Sequence, residues 1–442
     1  MTEIRPNVSQ PPRGTRDFLP EEMIKRNRVL EIVTRVFESY GYDPLGTPAF
    51  EHWELLKLKS GDDVIDQIYY FKDKSGRELG LRFEMTASMA RVVASKKDLV
   101  LPFKRYAIGP VWRYERPAPG RLREFYQADV DVVGAESPAA DSDVISVAVD
   151  CLKALGFKDF LIRLNDRRIL EGLMRTVGIL TDKSLDVFRA LDKLDKIGTE
   201  EVSKALMALG VESERIETLL NLMSAKGSPH AILKDVRQLL TGQDDGLKGC
   251  RSLEEILENA EVQGFFRFVT IDLSLARGLD YYTGPVFEIS LPSVGVGSLA
   301  GGGRYDQLIE VFGGRSTPAT GVSLGIERIV TLLEQRGFFK PLKTKTELFI
   351  ACASDKVKVE AERLAKRFRD LGFRVDMDLM GRSLHGQLEY VDKKGIGLVV
   401  IVGEKESARG CVALRDMNKK EQVEVKFEDL EKELRVLLHG RM

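Results

Sequence analysis

The segment ARGLDYYTG, at residues 276–284, places charged, aromatic and glycine residues in one short stretch. Arg277 and Asp280 lead directly into the apolar run PVFEI, which has the composition of a strand. Because burying an unpaired charge is costly, a strand of the core would exclude these two side chains. The segment is therefore either a surface turn or a place where its charges meet a ligand.

A second polar set lies on two strand-like runs that flank the loop RPAPGRL. Side chains alternate along a strand, so Arg113 and Glu115 share one face of the first run. The return run carries its own alternating set, namely Phe125, Gln127, Asp129 and Asp131. If the register unites both sets, two interpretations are open. One is a cross-strand ion-pair lattice on a solvated sheet. The other is a pocket floor, where arginine neutralises a phosphate, the aromatic stacks on a base and the carboxylates bind an ammonium.

Three further motifs are each ambiguous. Glu84 and Thr86 stand two residues apart before a helical run, where they either bind a ligand or only cap the helix. AGGGRYD matches no phosphate-binding loop, so its glycines indicate close approach of a ligand or of backbone. Arg328, in the mostly apolar run GVSLGIERIV, is either an arginine that extends to solvent or a phosphate ligand on a rigid helix.

Composition narrows the class of protein. The chain has 442 residues, enough for two or three domains, and 67 basic side chains face 68 acidic ones. A net charge of −1 supplies no global attraction to nucleic acid, so local patches must hold any polyanion. The four cysteines and four histidines are isolated from one another, which predicts neither a disulfide framework nor a metal site. With no long apolar stretch and no signal-peptide core, we expect a cytoplasmic protein without a membrane partner.

The elements that must position these residues fall into five segments. Short strands and helices are predicted before residue 165. A segment rich in charged residues and predicted to be helical follows, and strands with glycines return near residue 265. A helix at GVSLGIERIVTLLEQRG is predicted to close this α+β domain, and FFKPLKTKT reads as a linker before alternating strands and helices. The predicted boundaries are 1–164 and 263–338 for the split domain, 165–262 for a helical insertion, 339–345 for the linker and 346–442 for the C-terminal unit.

The order of the motifs resembles the class II aminoacyl-tRNA synthetases. Glu-x-Thr, Arg-x-Glu before a loop and strand, RGLDYY, and a helix at GIER follow one another along the chain. ARGLDYYTGPVFE together with AGGGRYDQL resembles the histidyl-tRNA synthetase family, and the likeness covers nearly the whole chain. The resemblance implies an antiparallel-sheet catalytic domain, an insertion that clasps tRNA and a C-terminal α/β anticodon-binding domain. It also implies a homodimer with Pro48 at the interface.

That family activates L-histidine with ATP to histidyl-adenylate and transfers histidine to tRNA(His), releasing AMP and diphosphate. The resemblance implies Mg2+ on the outer phosphates and two catalytic cations, Arg113 and Arg277, at the phosphate where charge develops. The implied ATP-binding residues are Arg113, Glu115, Phe125 and Arg328. The implied histidine-binding residues are Glu84, Met85, Thr86, Arg113, Gln127, Asp131, Arg277, Tyr281 and Tyr282. Asp131, which would read the imidazole with Tyr282, stands where many bacterial members have glutamate.

Two alternatives share parts of this pattern. The synthetase-like regulatory subunit of ATP phosphoribosyltransferase typically lacks the C-terminal domain and has a degraded RGLDYY element, whereas both are intact here. Synthetases for proline, threonine or glycine share the C-terminal domain type. Their substrates have no ring nitrogen to bind, so the tyrosine pair and Asp131 argue against them.

Overall fold

The computed structural model describes residues 9–58, 62–116, 121–179, 184–191, 194–275, 281–292, 297–339 and 343–439. Arg277 and Asp280 of the ARGLDYYTG segment lie outside this part of the chain. The chain divides into two compact units. The first comprises Met1–Asp17 and Arg28–Arg336, and the second comprises Phe18–Asn27 and Gly337–Met442. No helix in the described part is both long and apolar enough to cross a bilayer.

Eleven strands in the described part build the first unit. They are β1 (Asp43–Pro44), β2 (Phe50–His52), β3 (Tyr70–Lys72), β4 (Glu78–Leu81), β5 (Phe103–Trp112), β6 (Glu124–Val133), β7 (Leu161–Asp166), β8 (Val269–Ile271), β9 (Pro285–Ser290), β10 (Ala300–Arg304) and β11 (Ala319–Gly325). Eight form one sheet in the order β1-β5-β6-β11-β10-β9-β7-β8, and β2-β4-β3 form a small second sheet. The large sheet is antiparallel except for its edge pairs β1–β5 and β7–β8, which agrees with the predicted class II architecture.

Thirteen α-helices precede residue 337 in the described part of the chain. They are α1 (Pro20–Ser39), α2 (Trp53–Lys57), α3 (Asp62–Ile65), α4 (Thr86–Ser95), α5 (Pro138–Ala154), α6 (Arg167–Thr176), α7 (Ser184–Leu191), α8 (Leu194–Ala208), α9 (Ser213–Met223), α10 (Pro229–Leu239), α11 (Asp244–Val262), α12 (Leu308–Val311) and α13 (Ile326–Gln335). The six from α6 to α11 occupy the segment predicted to be helical. The boundaries proposed for that insertion stay a prediction.

Local sequence explains where the two helices beside the sheet begin. The Ser137 hydroxyl accepts a hydrogen bond from the Ala139 amide, and Pro138 occupies the first turn of α5, where no amide hydrogen bond is lost. The Asp166 carboxylate ends β7 and caps α6 by accepting from the Arg168 amide at 2.9 Å. Helix α5 buries most of its length, including Val144 and Ala148, against β6, β10 and β11.

The helix predicted at GVSLGIERIVTLLEQRG is wrong in its first part. Residues 319–325 form β11, and the helix begins only at Ile326. Strand β11 lies between β6 and β10, and five of its seven residues are buried. A strand buried on both faces shows no alternation of polar and apolar residues, so its sequence does not differ from that of a buried helix.

A buried ion pair joins α5 to the end of β10. The Arg304 guanidinium lies 2.6 Å and 3.0 Å from the same oxygen of Asp141, and it also donates to the carbonyls of Ala135 and Ser137. Burial raises the pKa of Asp141 to about 6, although the charge of Arg304 opposes the shift. The Arg304 carbonyl accepts from the Thr283 amide at 2.8 Å, so this anchor also fixes the residue that follows the tyrosine pair.

The second unit is a small α/β domain. Its strands are β12 (Leu348–Cys352), β13 (Val375–Met377), β14 (Leu398–Val402), β15 (Cys411–Asp416) and β16 (Glu421–Lys426), and its helices are α14 (Lys358–Asp370), α15 (Leu384–Lys394), α16 (Glu404–Ser407) and α17 (Leu430–His439). The sheet order is β13-β12-β14-β15-β16, with parallel pairing on both sides of β12. Helices α14 and α15 match the two helices predicted here.

The Arg304–Asp141 pair generates a stability prediction. Asp141→Ala leaves a buried guanidinium without its carboxylate, which costs about 3–5 kcal/mol when one partner of a buried pair is removed. We expect the urea midpoint of the first unfolding transition to fall clearly, measured by circular dichroism. Glu201→Ala, which removes an exposed partner of Lys204, serves as the control and should leave the midpoint unchanged. Equal midpoints for both variants would contradict the assigned role of the pair.

Candidate active site

The hairpin of β5 and β6 forms the floor of the site. Its register pairs Arg105 with Asp131, Ala107 with Asp129, Gly109 with Gln127, and Val111 with Phe125. Beyond the strand, the Arg113 amide donates to the Arg123 carbonyl at 2.9 Å, which continues the same register. Odd-numbered residues therefore face odd-numbered residues, as the pocket interpretation requires.

The polar set on β6 is buried rather than solvated. Gln127, Asp129 and Asp131 are all nearly inaccessible to solvent, which contradicts the lattice on a solvated sheet. One oxygen of Asp131 lies 2.5 Å from the Arg105 guanidinium, and the other accepts a hydrogen bond from the Tyr305 hydroxyl. Burial raises the pKa of Asp131, while the charge of Arg105 opposes the shift.

Sequence reasoning missed Arg105. This side chain is completely buried and pairs with Asp131 at the deep end of the floor. Its position could have been found, because residue 105 belongs to the same alternating set as Arg113 on the first strand. The pattern alone gives the face of a residue, whereas the burial that makes its charge important depends on the strands on either side.

Arg113 lies between two aromatic rings. Its guanidinium carbon is 4.3 Å from the centre of the Phe83 ring and 5.1 Å from that of Phe125, and its Nε donates to the Phe83 carbonyl at 3.3 Å. Burial lowers the pKa of Arg113, and the nearby carboxylates of Glu115, Glu84 and Asp129 oppose the shift. The stacked rings fix a planar cation, whose forked donors match phosphate or carboxylate oxygens.

Glu84 caps the helix that follows it. Its carboxylate accepts from the Ala87 amide at 2.7 Å and from the Thr86 amide, so Glu84 caps helix α4. Burial raises the pKa of Glu84, and these hydrogen bonds oppose the shift. Met85 packs instead into the core with Ala107 and Val111, so only its backbone is available to a ligand.

The tyrosine pair closes the deep end of the site. The rings of Tyr281 and Tyr282 lie 5.2 Å apart, and Tyr281 is 5.6 Å from Tyr305, which binds Asp131. A side chain at Gly303 would come within 3.0 Å of the Tyr282 ring. The glycines of AGGGRYD therefore allow close approach, as predicted. Tyr281 and Glu84 also line one small cavity together with Phe83 and Ala87.

The other predicted residues lie at the outer end. Glu115 pairs with the exposed Arg121, and Phe125 is half-buried beside Arg113. Arg328 on α13 donates to the Ser298 carbonyl. This contact is neither of the two that were predicted for it, namely extension to solvent and binding of a phosphate. Its neighbour Glu327 accepts from the Tyr126 amide at 2.7 Å, which ties α13 to the floor.

These residues combine fixed cations, buried carboxylates and aromatic rings. Within the described ranges, no three His, Cys, Asp or Glu side chains form a metal-binding group. The planar cation Arg113 suits an anion, and the carboxylates suit an ammonium group, so one zwitterionic molecule could satisfy both. Such a site stabilises charge at fixed positions rather than transferring protons.

Comparison with known proteins identifies the family. The family model for histidyl-tRNA synthetase matches residues 14–329, and the model for the anticodon-binding domain matches residues 347–437. The chain belongs to the histidyl-tRNA synthetase family. The histidine–tRNA ligase of Pyrococcus abyssi is 42% identical over 431 residues, which are 97% of this chain and 99% of that protein. The ligase of Aeropyrum pernix is also 42% identical and covers 97% of this chain and 98% of its own.

Solved structures agree with the family. The crystal structure of histidyl-tRNA synthetase from Nostoc sp. PCC 7120 superposes with a TM-score of 0.84 at 30% identity, covering 96% of this chain and 98% of that one. An ATP phosphoribosyltransferase regulatory subunit/histidyl-tRNA synthetase from Bacillus halodurans C gives 0.77 at 27% identity, covering 90% and 99%. The predicted family and fold class are thereby confirmed, and the proline, threonine and glycine alternatives are not supported.

Proposed function

We propose that this chain activates L-histidine with ATP and transfers the histidyl group to tRNA(His), releasing AMP and diphosphate. One observation supports it most: in a member of this family, the half-buried Arg113 is held beside the rings of Phe83 and Phe125, and the buried carboxylate of Asp129 is near it. In the first step, the histidine carboxylate attacks the α-phosphorus, and negative charge grows on the phosphate oxygens. A guanidinium that is already fixed stabilises that charge without reorganisation. Arg277 supplies a second cation in this proposal, on the strength of the resemblance.

The ATP contacts follow the length of the floor. The half-buried ring of Phe125 offers a flat apolar surface for adenine, and Glu115 stands at the same outer end. Arg328 would bind the phosphates from α13, which requires that its guanidinium exchange the Ser298 carbonyl for the nucleotide. This exchange is favourable because phosphate oxygens are charged acceptors and a carbonyl oxygen is neutral.

The histidine contacts lie deeper. Gln127 has a buried side-chain oxygen without a hydrogen-bond partner among the described residues, which supports its role as an acceptor for the substrate ammonium. Glu84 and Thr86 would act at the same end, and Met85 would act through its backbone. Asp131, Tyr281 and Tyr282 surround the deep end, where the imidazole would lie. On the strength of the resemblance, Mg2+ would bind to the outer phosphates of ATP.

The tRNA is assigned to two parts of the chain. We assign binding of the anticodon end to residues 346–442, and we assign a clasping role to the helices of residues 165–262. In this division, the split catalytic domain comprises residues 1–164 and 263–338, and residues 339–345 form the linker. From Pro341 onward the chain holds 21 Lys and Arg against 18 Asp and Glu, counted along the printed sequence. So slight an excess means that local patches and base contacts must supply the affinity. A cytoplasmic location is part of the proposal, and cell fractionation would test it.

The first prediction concerns the chemical step. Among the twenty amino acids, only histidine should support ATP–pyrophosphate exchange, and the exchange should stop when Mg2+ is chelated. Arg277→Ala should reduce histidine-dependent exchange by about a hundredfold or more, because a fixed transition-state cation is lost. Arg251→Ala, on the exposed face of α11, is the matched control and should retain full exchange. Exchange with another amino acid at equal rate would reject the histidine assignment.

The second prediction concerns the homodimer. The small sheet exposes aromatic side chains next to Pro48: Phe50 is 50% exposed and Phe71 is 37% exposed, and their rings lie 6.2 Å apart. Exposed apolar patches of this kind mark interaction surfaces. We expect a dimer in sedimentation equilibrium and a monomer after Phe50→Asp with Phe71→Asp. Val262→Asp, which alters another exposed apolar residue, should leave the dimer intact. A dimeric double variant would remove the interface from this sheet.

The third prediction separates the two reactions. The residues proposed for adenylate formation all precede residue 329, so a chain ending at Phe339 should still form histidyl-adenylate. It should charge tRNA poorly, because the unit matched by the anticodon-binding model is missing. Added salt should weaken tRNA binding to the full chain. Unimpaired charging by the shortened chain would show that the C-terminal unit is an appendage that stabilises the protein.

A further inference from the structure

Asp129 occupies the centre of the pocket floor, yet none of the proposed roles uses it. It lies on β6 between Gln127 and Asp131, and all three side chains point to the same face. Residues two apart on a strand are separated by about 7 Å, so one small molecule can contact both Asp129 and either of these neighbours. Its partner on β5 is Ala107, whose side chain is small and carries no group that could pair with the carboxylate.

The two aspartates differ in how their oxygens are used. In Asp131, Oδ1 accepts a hydrogen bond from Tyr305, and Oδ2 has no hydrogen-bond partner among the described residues but forms an ion pair with Arg105. Asp129 is only 3% exposed, and its Oδ1 has no hydrogen-bond partner in the described part of the chain. A buried carboxylate oxygen without a donor is costly, and such an oxygen in a native protein calls for an explanation. A donor that arrives with the substrate would supply the missing partner.

Charged groups from several elements surround this carboxylate. Arg105 is 0% exposed, and none of its three guanidinium nitrogens has a hydrogen-bond partner among the described residues, although Nη2 forms the ion pair with Asp131. The groups that interact with Asp129 are Arg82, Glu84, Arg105, Arg113, Asp131, Tyr281 and, across the sheet, Ser323. Two other carboxylates therefore share the space with Asp129, and a cationic ligand would relieve their mutual repulsion.

We propose that Asp129 is a further histidine-binding residue, whose open carboxylate oxygen accepts a hydrogen bond from a nitrogen of the bound histidine. The nitrogen is either the α-ammonium or an imidazole N–H, since both are charged or polar donors. Arg105, which forms an ion pair with Asp131 on the same face of the hairpin, is a positioning residue for the two aspartates. The inference rests on the proposed function, because it names a residue of the same substrate pocket.

Asp129→Asn tests the proposal in ATP–pyrophosphate exchange. The amide keeps the shape of the side chain but loses its charge, so the KM for histidine should rise about tenfold or more. The KM for ATP should stay within about twofold of that of the unaltered enzyme, because the nucleotide binds at the other end of the floor. A purely structural role would instead lower stability, without separating the two KM values.

The pH profile gives an independent readout. Burial raises the pKa of Asp129 to about 7, so the carboxylate gains its proton as the pH falls through neutrality. The unaltered enzyme should therefore bind histidine more weakly as the pH falls from about 8 to about 6. Ionisation of histidine's own imidazole adds to this profile, so the difference between the unaltered enzyme and Asp129→Asn is the quantity to compare. The ratio of the two KM values for histidine should therefore differ between pH values below neutrality and pH values above it.

Two further variants keep the test decisive. Asp166→Asn alters a buried aspartate that pairs with Arg168 at 2.6 Å and caps α6, so it should lower stability with an unchanged KM for histidine. If Asp129→Asn does not fold, Asp129→Glu takes its place. It keeps the charge beside Arg105 but moves the oxygens by one methylene, and the KM for histidine should again rise alone.

A histidine analogue identifies the nitrogen. Imidazolepropionate lacks the amino group. Asp129→Asn should therefore weaken inhibition of the exchange reaction by this analogue only if the Asp129 carboxylate contacts the ring. Unchanged inhibition together with a raised KM for histidine assigns the contact to the ammonium group. A KM for histidine within about twofold of the unaltered value, with an unaltered pH profile, would overturn the proposal. Absence of histidine-dependent exchange in the unaltered protein would instead reject the proposed function.

Discussion

The buried pair of Arg105 and Asp131 is the constraint around which the catalytic pocket is arranged. Removing two charges from water costs several kcal/mol each, and their attraction offsets this cost only where the geometry is good and the remaining oxygen is satisfied. The Tyr305 hydroxyl satisfies that oxygen. Strand β5 supplies the cation, β6 the anion and the residue after β10 the hydroxyl. A shift of register by one residue would turn the charged side chains to the other face, so this pair selects one arrangement of the sheet.

The neighbouring strands are shaped around this charge. A side chain at Gly321 would overlap the Asp131 carboxylate, and one at Gly302 would overlap the Gly321 carbonyl. Small residues at these points let β6, β11 and β10 approach closely enough to exclude water from the floor. The Arg304–Asp141 pair then anchors the end of β10 next to Tyr305. Tyr305 thus follows the arginine of one buried ion pair in sequence, and its hydroxyl donates to the aspartate of the other.

The sequence predicted the face of each polar residue but not its electrostatic environment. Alternation along β5 and β6 placed Arg113 and Asp131 correctly, because strand geometry is local. Arg105 was missed, and Asp129 was named only as one of several carboxylates that could bind an ammonium, because burial depends on strands far away in sequence. The boundary between β11 and α13 failed for the same reason, since a strand buried on both faces has no periodic signal. Resemblance to a family supplied the topology, which local patterns do not determine.

The distribution of charge explains why a site with no histidine side chain suits this chemistry. Adenylate formation moves charge onto phosphate oxygens and requires cations at fixed positions, whereas amino-acid selection requires anions a few ångströms away. The two groups lie at different ends of the β5–β6 hairpin: Arg113 lies near Phe125, and Asp131 lies near Tyr305. Carboxylates crowded together and buried resist ionisation, so the pocket by itself is electrostatically incomplete. A zwitterion whose ammonium meets the carboxylates and whose carboxylate meets Arg113 completes both ends at once. Binding and orientation of the attacking group are then one event.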